Sequence, residues 1–414
     1  MKIFYKTAAI LLVLVITLSF FGCKNNQEPK KPITSPTDTV VETTEPAEQK
    51  ETETPTESSE DDIHDMEGDQ YKNIGIVIDK LDNGENVLYS PLSLNFALGL
   101  ISEGASDSVK KDFENYFGLS FDEYNNFYKD YITNADNTIE IANAFFIKKG
   151  NTLNKDFAKA IAEDYQAEYE ALKFDKAFVE KANKWCSDKT HGMIKSILDK
   201  EPNADAVALN ALYFNGKWKE TYNKKDIRET TFKLTDNETK EVSGLYSTEN
   251  YYLENDKAKG FMKYYDGNRY AFVGILPNDE DASFKFSDLD IKSLLDSKEE
   301  LKVNVMIPKF TFDNKNDLES LVGSLGLESI LKTNAFDKII NEAPMSVTKI
   351  IQKTKIELDE NGTKAAAVTE IEMLKNAVAK IDETKQVYLD RPFAFLIYDT
   401  EKDVVLFAGK VVNP

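Results

Sequence analysis

Cysteine, histidine and tryptophan each occur only twice in the 414 residues. With Cys23 and Cys186 as the only thiols, no disulfide framework can staple the fold. Cys186 lies in a helix-like stretch and reads as a buried or half-buried thiol. His64 falls in an acidic stretch, so His191 is the one imidazole left to the folded body. That starves Ser-His and Cys-His nucleophilic schemes and histidine-rich zinc sites. The chain also lacks a His-Glu-x-x-His helix, a glycine-rich phosphate loop and a Gly-x-Ser-x-Gly elbow. The sequence therefore predicts no catalytic residue, no metal and no cofactor. Positive charge is scarce as well: 51 Lys and Arg face 72 Asp and Glu, for a net charge of −21. Such acidity argues against nucleic acid as a partner, which needs a basic face to neutralise its phosphates. The acidity reads as a solubility feature.

What is present divides the chain in three. Residues 1–22 read as a secretory leader, with Lys2 and Lys6 at the positive end and an almost unbroken apolar run from Ala8 to Phe21. The run is short for a membrane span. It ends in Phe20-Phe21-Gly22-Cys23, which resembles a bacterial lipoprotein cleavage site, with Phe20 where that motif usually has Leu. On this reading Cys23 becomes the lipid-bearing N-terminus and anchors the protein outside the cell. The other reading is an ordinary signal peptide in which Cys23 is incidental. Residues 23–68 are rich in Thr, Pro, Glu and Ser and poor in large apolar side chains. Such a segment cannot bury enough surface to offset its ordering entropy, and it predicts an extended acidic tether.

Residues 69–414 form one continuous body. Hydrophobic residues make up 41% of the chain, with 25 Phe and 19 Tyr, enough for a large core. Helical periodicity predicts helices over Leu92–Leu100 and Phe157–Tyr169. Val303–Pro308 alternates like a strand, and Tyr270–Leu276 and Ala394–Tyr398 are apolar strand-like runs. Helices and strands mix without a regular βαβ alternation, which predicts an α+β domain.

Asn86-Val-Leu-Tyr-Ser90-Pro91, Asn183-Lys-Trp185, Asn210-Ala-Leu-Tyr-Phe-Asn-Gly-Lys-Trp218, Ile307-Pro308-Lys309-Phe310 and Arg391-Pro392-Phe393 occur in this order, and with these segments the chain resembles the serpin family over residues 71–414. Asn86-Val-Leu-Tyr-Ser90-Pro91-Leu-Ser93 looks like the start of the helix whose small hydroxyls sit beneath the main sheet. It is also an ordinary Ser-Pro helix start. Asn183-Lys-Trp185 with Thr190 and Gly192 looks like the end of a helix lying across that sheet. Asn210-Ala-Leu-Tyr-Phe-Asn-Gly-Lys-Trp218 resembles the strand leading to the family's breach tryptophan. Ile307-Pro308-Lys309-Phe310, Ala343-Pro344, Arg391-Pro392-Phe393 and the terminus from Phe407 to Pro414 match further landmarks. The resemblance implies helices packed around three β-sheets, an insertable central sheet and an exposed reactive-centre loop. It assigns Asn86, Ser90, Pro91, Ser93, Asn210, Trp218 and Gln352 to the shutter and breach. Gln352 stands where the family usually has histidine, and its amide does not titrate near neutral pH.

The same resemblance marks Glu360, Gly362, Thr363, Ala365, Ala366 and Ala367 as a hinge. Glycine permits the bend, and small side chains allow the segment to enter a sheet. As a strand, Thr363, Ala365, Ala367, Thr369, Ile371 and Met373 would share one uncharged face. Lys364, Ala366, Val368, Glu370 and Glu372 would share the other, which predicts one buried and one exposed side. The stretch 363–381 also fits an amphipathic helix. The family's usual spacing from Glu360 points to Asn376–Ala377 as the attacked bond. The strand pattern fails after Met373, which favours Lys375–Asn376, a bond that a trypsin-like protease would recognise, and counting back from Pro392 points near Lys380 and Ile381. The resemblance thus implies a monomeric inhibitor of trypsin-like or elastase-like serine proteases, with cysteine proteases a further possible target. A non-inhibitory surface binding or carrier module is the alternative.

Overall fold

The computed structural model describes residues 10–19, 69–279, 284–363 and 384–414. Cys23, the tether at 23–68 and the bait positions Ala365, Ala366, Ala367, Lys375, Asn376, Ala377 and Lys380 lie outside the described residues.

The Pro91–Ser102 helix forms the spine of the core. Ser90 caps it, its hydroxyl accepting from the Ser93 N–H at 3.3 Å, and Pro91 opens the first turn, where its missing N–H costs nothing. Every residue of this helix except Asn95 is buried, which is why its sequence is apolar on all sides. The helical periodicity expected over Phe157–Tyr169 ends sooner. That helix is Lys155–Glu163, followed by a strand, Glu168–Leu172. Gln166, at φ +49°, turns the chain between them, while Tyr165 and Ala167 keep the apolar pattern running because both are buried.

Three sheets are present among the described residues. The main sheet runs in the order Phe310–Asp317, Ser346–Leu358, Ile10–Ser19, Ala206–Phe214, Ile139–Lys148 and Glu168–Leu172, antiparallel except for the last pair. A nine-stranded sheet contains Glu299–Pro308, Tyr270–Pro277 and Phe393–Asp399, at the three positions where strands were expected. The third sheet is a two-residue pairing of Gly362–Thr363 with Gly216–Lys217.

Two apolar layers enclose the main sheet. Ala208, Leu212, Phe214, Ile350 and Ile356 belong to the main core, together with the Pro91–Ser102 helix. On the opposite face Val207, Leu209, Ala211 and Tyr213 pack beneath the Lys176–Lys189 helix, which presents Phe178, Ala182, Trp185 and Cys186 at helical spacing. Cys186 is fully buried, and burial pushes its thiol up to about 12.

The Ile10–Ser19 strand fills the centre of the main sheet. The run read as the apolar core of a leader here takes part in the fold itself, with nine paired positions toward Ala206–Phe214 and nine toward Ser346–Leu358. Ile16 is fully buried in the main core. An uncharged run rich in Leu, Ile and Val suits a strand that needs ladder partners on both edges.

A buried polar chain approaches this sheet from the helical side. The Asn125 amide donates to Glu103 at 2.7 Å and accepts from the Tyr165 hydroxyl. The Tyr165 carbonyl in turn accepts from Asn143 at 2.8 Å. Burial raises Glu103 to about 7, with Lys110 opposing and Asp164 and Asp122 adding to the rise. Because the folded value lies above the unfolded one, the stability due to neutral Glu103 is complete below the ordinary carboxylate range and is lost as pH rises through about 7. Glu103→Gln should therefore stabilise the protein by about 1–2 kcal/mol near pH 8 and flatten the fall in Tm between about pH 5 and pH 8. Thermal unfolding across that range checks this; an unchanged slope would remove Glu103 as its source.

Candidate functional site

The site is the strand slot between Ala206–Phe214 and Ser346–Leu358, the polar cluster beneath its middle and the hinge at its upper end. Ser90, Ser93, Asn210 and Gln352 converge under the middle of the slot, all fully buried. The Ser90 N–H donates to the Gln352 side-chain oxygen at 3.1 Å, and the Gln352 amide donates back to the Ser90 carbonyl at 3.0 Å. The Ser90 hydroxyl donates to the Leu406 carbonyl at 2.5 Å, tying the helix start to the other large sheet. Ser93 donates to Asn210, and Asn210 donates to Asn143 at 2.8 Å, which joins the chain leading to Glu103. Gln352 thus fixes a strand to a helix N-terminus with both of its hydrogen-bonding ends. Its two-way pairing needs a donor and an acceptor at once, which an amide supplies without titrating.

Asn86 sits apart from this cluster. Its side chain accepts from the Val412 and Asn413 N–H groups at 2.8 and 2.9 Å and donates to the Asn413 carbonyl at 2.7 Å, so it holds the C-terminal segment. Asn143, Tyr165 and Asn125 are the members that sequence reading missed. An amide amid the apolar residues from Ile141 to Ile147 was the available signal.

The upper end is built around Trp218. Its indole N–H donates to the Asp359 carbonyl at 2.9 Å and its backbone N–H to the Asn361 carbonyl at 3.0 Å. Tyr265 stacks on its ring at 4.5 Å, and its hydroxyl meets the hydroxyl of the fully buried Thr363 at 2.8 Å. Gly362 has φ +140°, and a Cβ there would lie 2.8 Å from Lys217 Cα and Trp218 N. Only glycine fits, because both the backbone angle and the close approach exclude a side chain. Glu360 pairs with Lys309 at 2.5 Å. Burial acts to raise the Glu360 carboxyl, but the Lys309 hydrogen bond and charge outweigh it and hold the group below its ordinary range. Lys263, almost fully buried, lies 5.4 Å from the Trp218 ring and pairs with Glu249 at 2.8 Å.

The hinge register fixes where a continuing strand would run. Thr363 pairs with Gly216, and Ile10 pairs with Phe214 on the same line of chain. Carried on without a bulge, this register brings Ala365 to the level of Ile10 and Ile371 to the level of Ile16, opposite Ala208. The uncharged set from Thr363 to Met373 then coincides with the face on which Thr363 and Ile16 are buried. The opposite face was expected to meet solvent. A strand lying in the slot would be covered on that side, since Val207, Leu209, Ala211 and Tyr213 are all buried under the Lys176–Lys189 helix. On that side the Ser346–Leu358 strand carries Lys349 and Lys353. The level of Glu372 is that of Thr17, opposite Lys349, and the level of Glu370 is that of Val15, opposite Ile351 and diagonal to Lys349 and Lys353.

A segment after the Lys176–Lys189 helix crosses the front of the sheet. Asn183 accepts from the Ile197 and Leu198 N–H groups at 2.7 and 2.9 Å, and Lys353 donates to the Ser196 carbonyl at 3.0 Å. Any chain entering the slot must displace or lift this cover.

Residues 76–414 match a family model described as serpin (serine protease inhibitor). The chain is 28% identical over 429 aligned residues to an uncharacterised serpin-like protein of Thermococcus kodakarensis, covering 98% of each. It is 27% identical to neuroserpin of Mus musculus, covering 80% of this chain and 86% of that one. Among solved structures, the thermophilic serpin tengpin in its native state superposes with a TM-score of 0.76 at 28% identity, covering 87% of this chain and 97% of that one. A cleaved serpin, 42Da, superposes with a TM-score of 0.68 at 18% identity, covering 84% of this chain and 96% of that one, a likeness of fold alone. The slot, the polar cluster below it and the glycine hinge above it are thus carried on a shared architecture, and the chain belongs to the serpin family.

Proposed function

We propose that this protein is an inhibitory serpin, monomeric and anchored outside a bacterial cell through a lipid on Cys23, that traps a serine protease with a bait cut near Lys375. The anchored location is supported by Lys2, Lys6, the apolar run and Gly22-Cys23. The inhibitory reading is supported above all by the hinge register, which brings an uncharged set of side chains to the buried face of the slot and Glu370 and Glu372 beside Lys349 and Lys353.

The chemistry belongs to the protease. Its nucleophile attacks the carbonyl of Lys375, or of Asn376 at the neighbouring bond. The peptide bond breaks, the new amine leaves, and the upstream carbonyl remains as an ester on the enzyme. The freed strand then enters the slot. About a dozen residues at ~3.3 Å each carry the attached protease ~40 Å. Ladder hydrogen bonds and newly buried apolar surface drive this movement, and distortion of the protease blocks hydrolysis of the ester. A cysteine protease would be held in the same way as a thioester. A non-inhibitory binding module is favoured by one observation: the slot is already filled by Ile10–Ser19.

Three outcomes test the inhibitory reading in the chain that begins at Cys23. Mixing with trypsin should give a covalent complex stable on a denaturing gel, and Lys375→Ala should cut its rate of formation at least about tenfold, the loss of one charged recognition contact. Cleavage that yields only free, active trypsin would sink the inhibitory reading. Thr363→Arg should turn inhibitor into substrate, because an unpaired charge is driven into the face now holding the Tyr265 hydroxyl. Retained inhibition would refute the face assignment. Finally, Lys349→Glu combined with Lys353→Glu should shift the product from complex toward cleaved serpin, since like charges would then face Glu370 and Glu372. An unchanged partition ratio would refute the register.

A further inference from the structure

We infer that residues 10–19 plug the slot, so that the chain retaining them is held in a stable, non-inhibitory form until that segment leaves. The inference rests on the reading of the bait as an insertable strand.

Three observations converge on it. The Ile10–Ser19 strand runs antiparallel to both neighbours, the same sense in which a strand folding back from Ser346–Leu358 through Gly362 would run. Its ten positions are the ones that residues 365–374 would take, level by level, in the hinge register. Two segments with one direction and one set of backbone partners cannot occupy the slot together. The plug is also the better apolar match. Ile10–Ser19 carries no charge, whereas 365–374 brings Glu370 and Glu372 to the helix-covered face.

Reach is no obstacle. Forty-nine residues separate Ser19 from Asp69. An extended chain of that length spans up to roughly 160 Å, several times the size of the slot. The plug also satisfies edges that would otherwise be open. With it in place, Ala206–Phe214 and Ser346–Leu358 each find ladder partners; without it, the two edges must pair with each other, with water or with a new strand. The segment is therefore a built-in occupant whose loss switches the sheet from filled to receptive. Cleavage before Cys23 would release it, which ties inhibition to export.

The full 414-residue chain, produced without export, provides the test, compared with Ile16→Asp and with a Val13→Pro, Val15→Pro double variant. The first places a charge at a fully buried position, and the second removes two ladder donors without touching the body. Each is cut in the bait with trypsin, and Tm is measured before and after. Cleavage should leave the Tm of the unaltered chain unchanged and raise that of both variants by about 10 °C or more, as expected when a new central strand is added. Adding a synthetic peptide of residues 10–19 to the variants before cleavage should abolish the rise. An equal rise in the unaltered chain would overturn the inference, as would no rise in either variant. The covalent complex with trypsin is scored in parallel. A rise confined to the variants without any complex would keep the plug and sink the inhibitory reading, so the two fail separately.

Discussion

The backbone of two strands governs this molecule. Ala206–Phe214 and Ser346–Leu358 each present an edge toward the other, and in this structure a third strand lies between them to satisfy both. A buried edge with unpaired N–H and carbonyl groups is costly, so the gap must be closed, hydrated or filled. Every other feature of the site acts on that choice. The Lys176–Lys189 helix and the segment after it cover the front of the slot. The Ser90, Ser93, Asn210 and Gln352 cluster ties the strands on either side of the gap to a helix start behind them. Trp218, Gly362 and the Glu360–Lys309 pair hold the hinge at the top, already in line with the gap.

The polar cluster ties the strands on both sides of the slot to one helix start without linking them to each other. Gln352 and Asn210 belong to strands on opposite sides of the slot, and each is bonded to the Pro91 helix start, not to the other. Filling the slot therefore leaves these bonds intact. Charge is kept out of the middle, since Gln352 is an amide. The titratable member, Glu103, lies at the outer end of the chain, linked through Asn125, Tyr165 and Asn143.

Much of this was legible in the sequence. Pro91 and its Ser90 cap set a helix start by local geometry, and the three expected strands fell where alternation and apolar runs put them. Of the uncharged face read over 363–373, Thr363 is the member among the described residues, and it is buried. Other features could not be read locally. The Phe157–Tyr169 periodicity continued past the end of a helix because buried Tyr165 and Ala167 serve packing through a turn and not a helical face. Asn86 looked like part of a motif with Ser90, yet its partners are Val412 and Asn413, over three hundred residues away.

The sequence by itself determined the faces: which helix face is apolar, which strand positions alternate, where glycine alone can bend the chain. These follow from periods of two and 3.6 residues and from φ, all properties of neighbouring residues. Only the tertiary structure decided the partners. It seated Ile10–Ser19 in the slot, with Val13 opposite Lys353 and Thr17 opposite Lys349, and laid the Lys176–Lys189 helix over one face of the sheet. Hydrogen-bond register between strands depends on which distant edges meet, and an apolar run such as 10–19 is equally suited to a membrane leader or a central strand until an open edge is there to receive it.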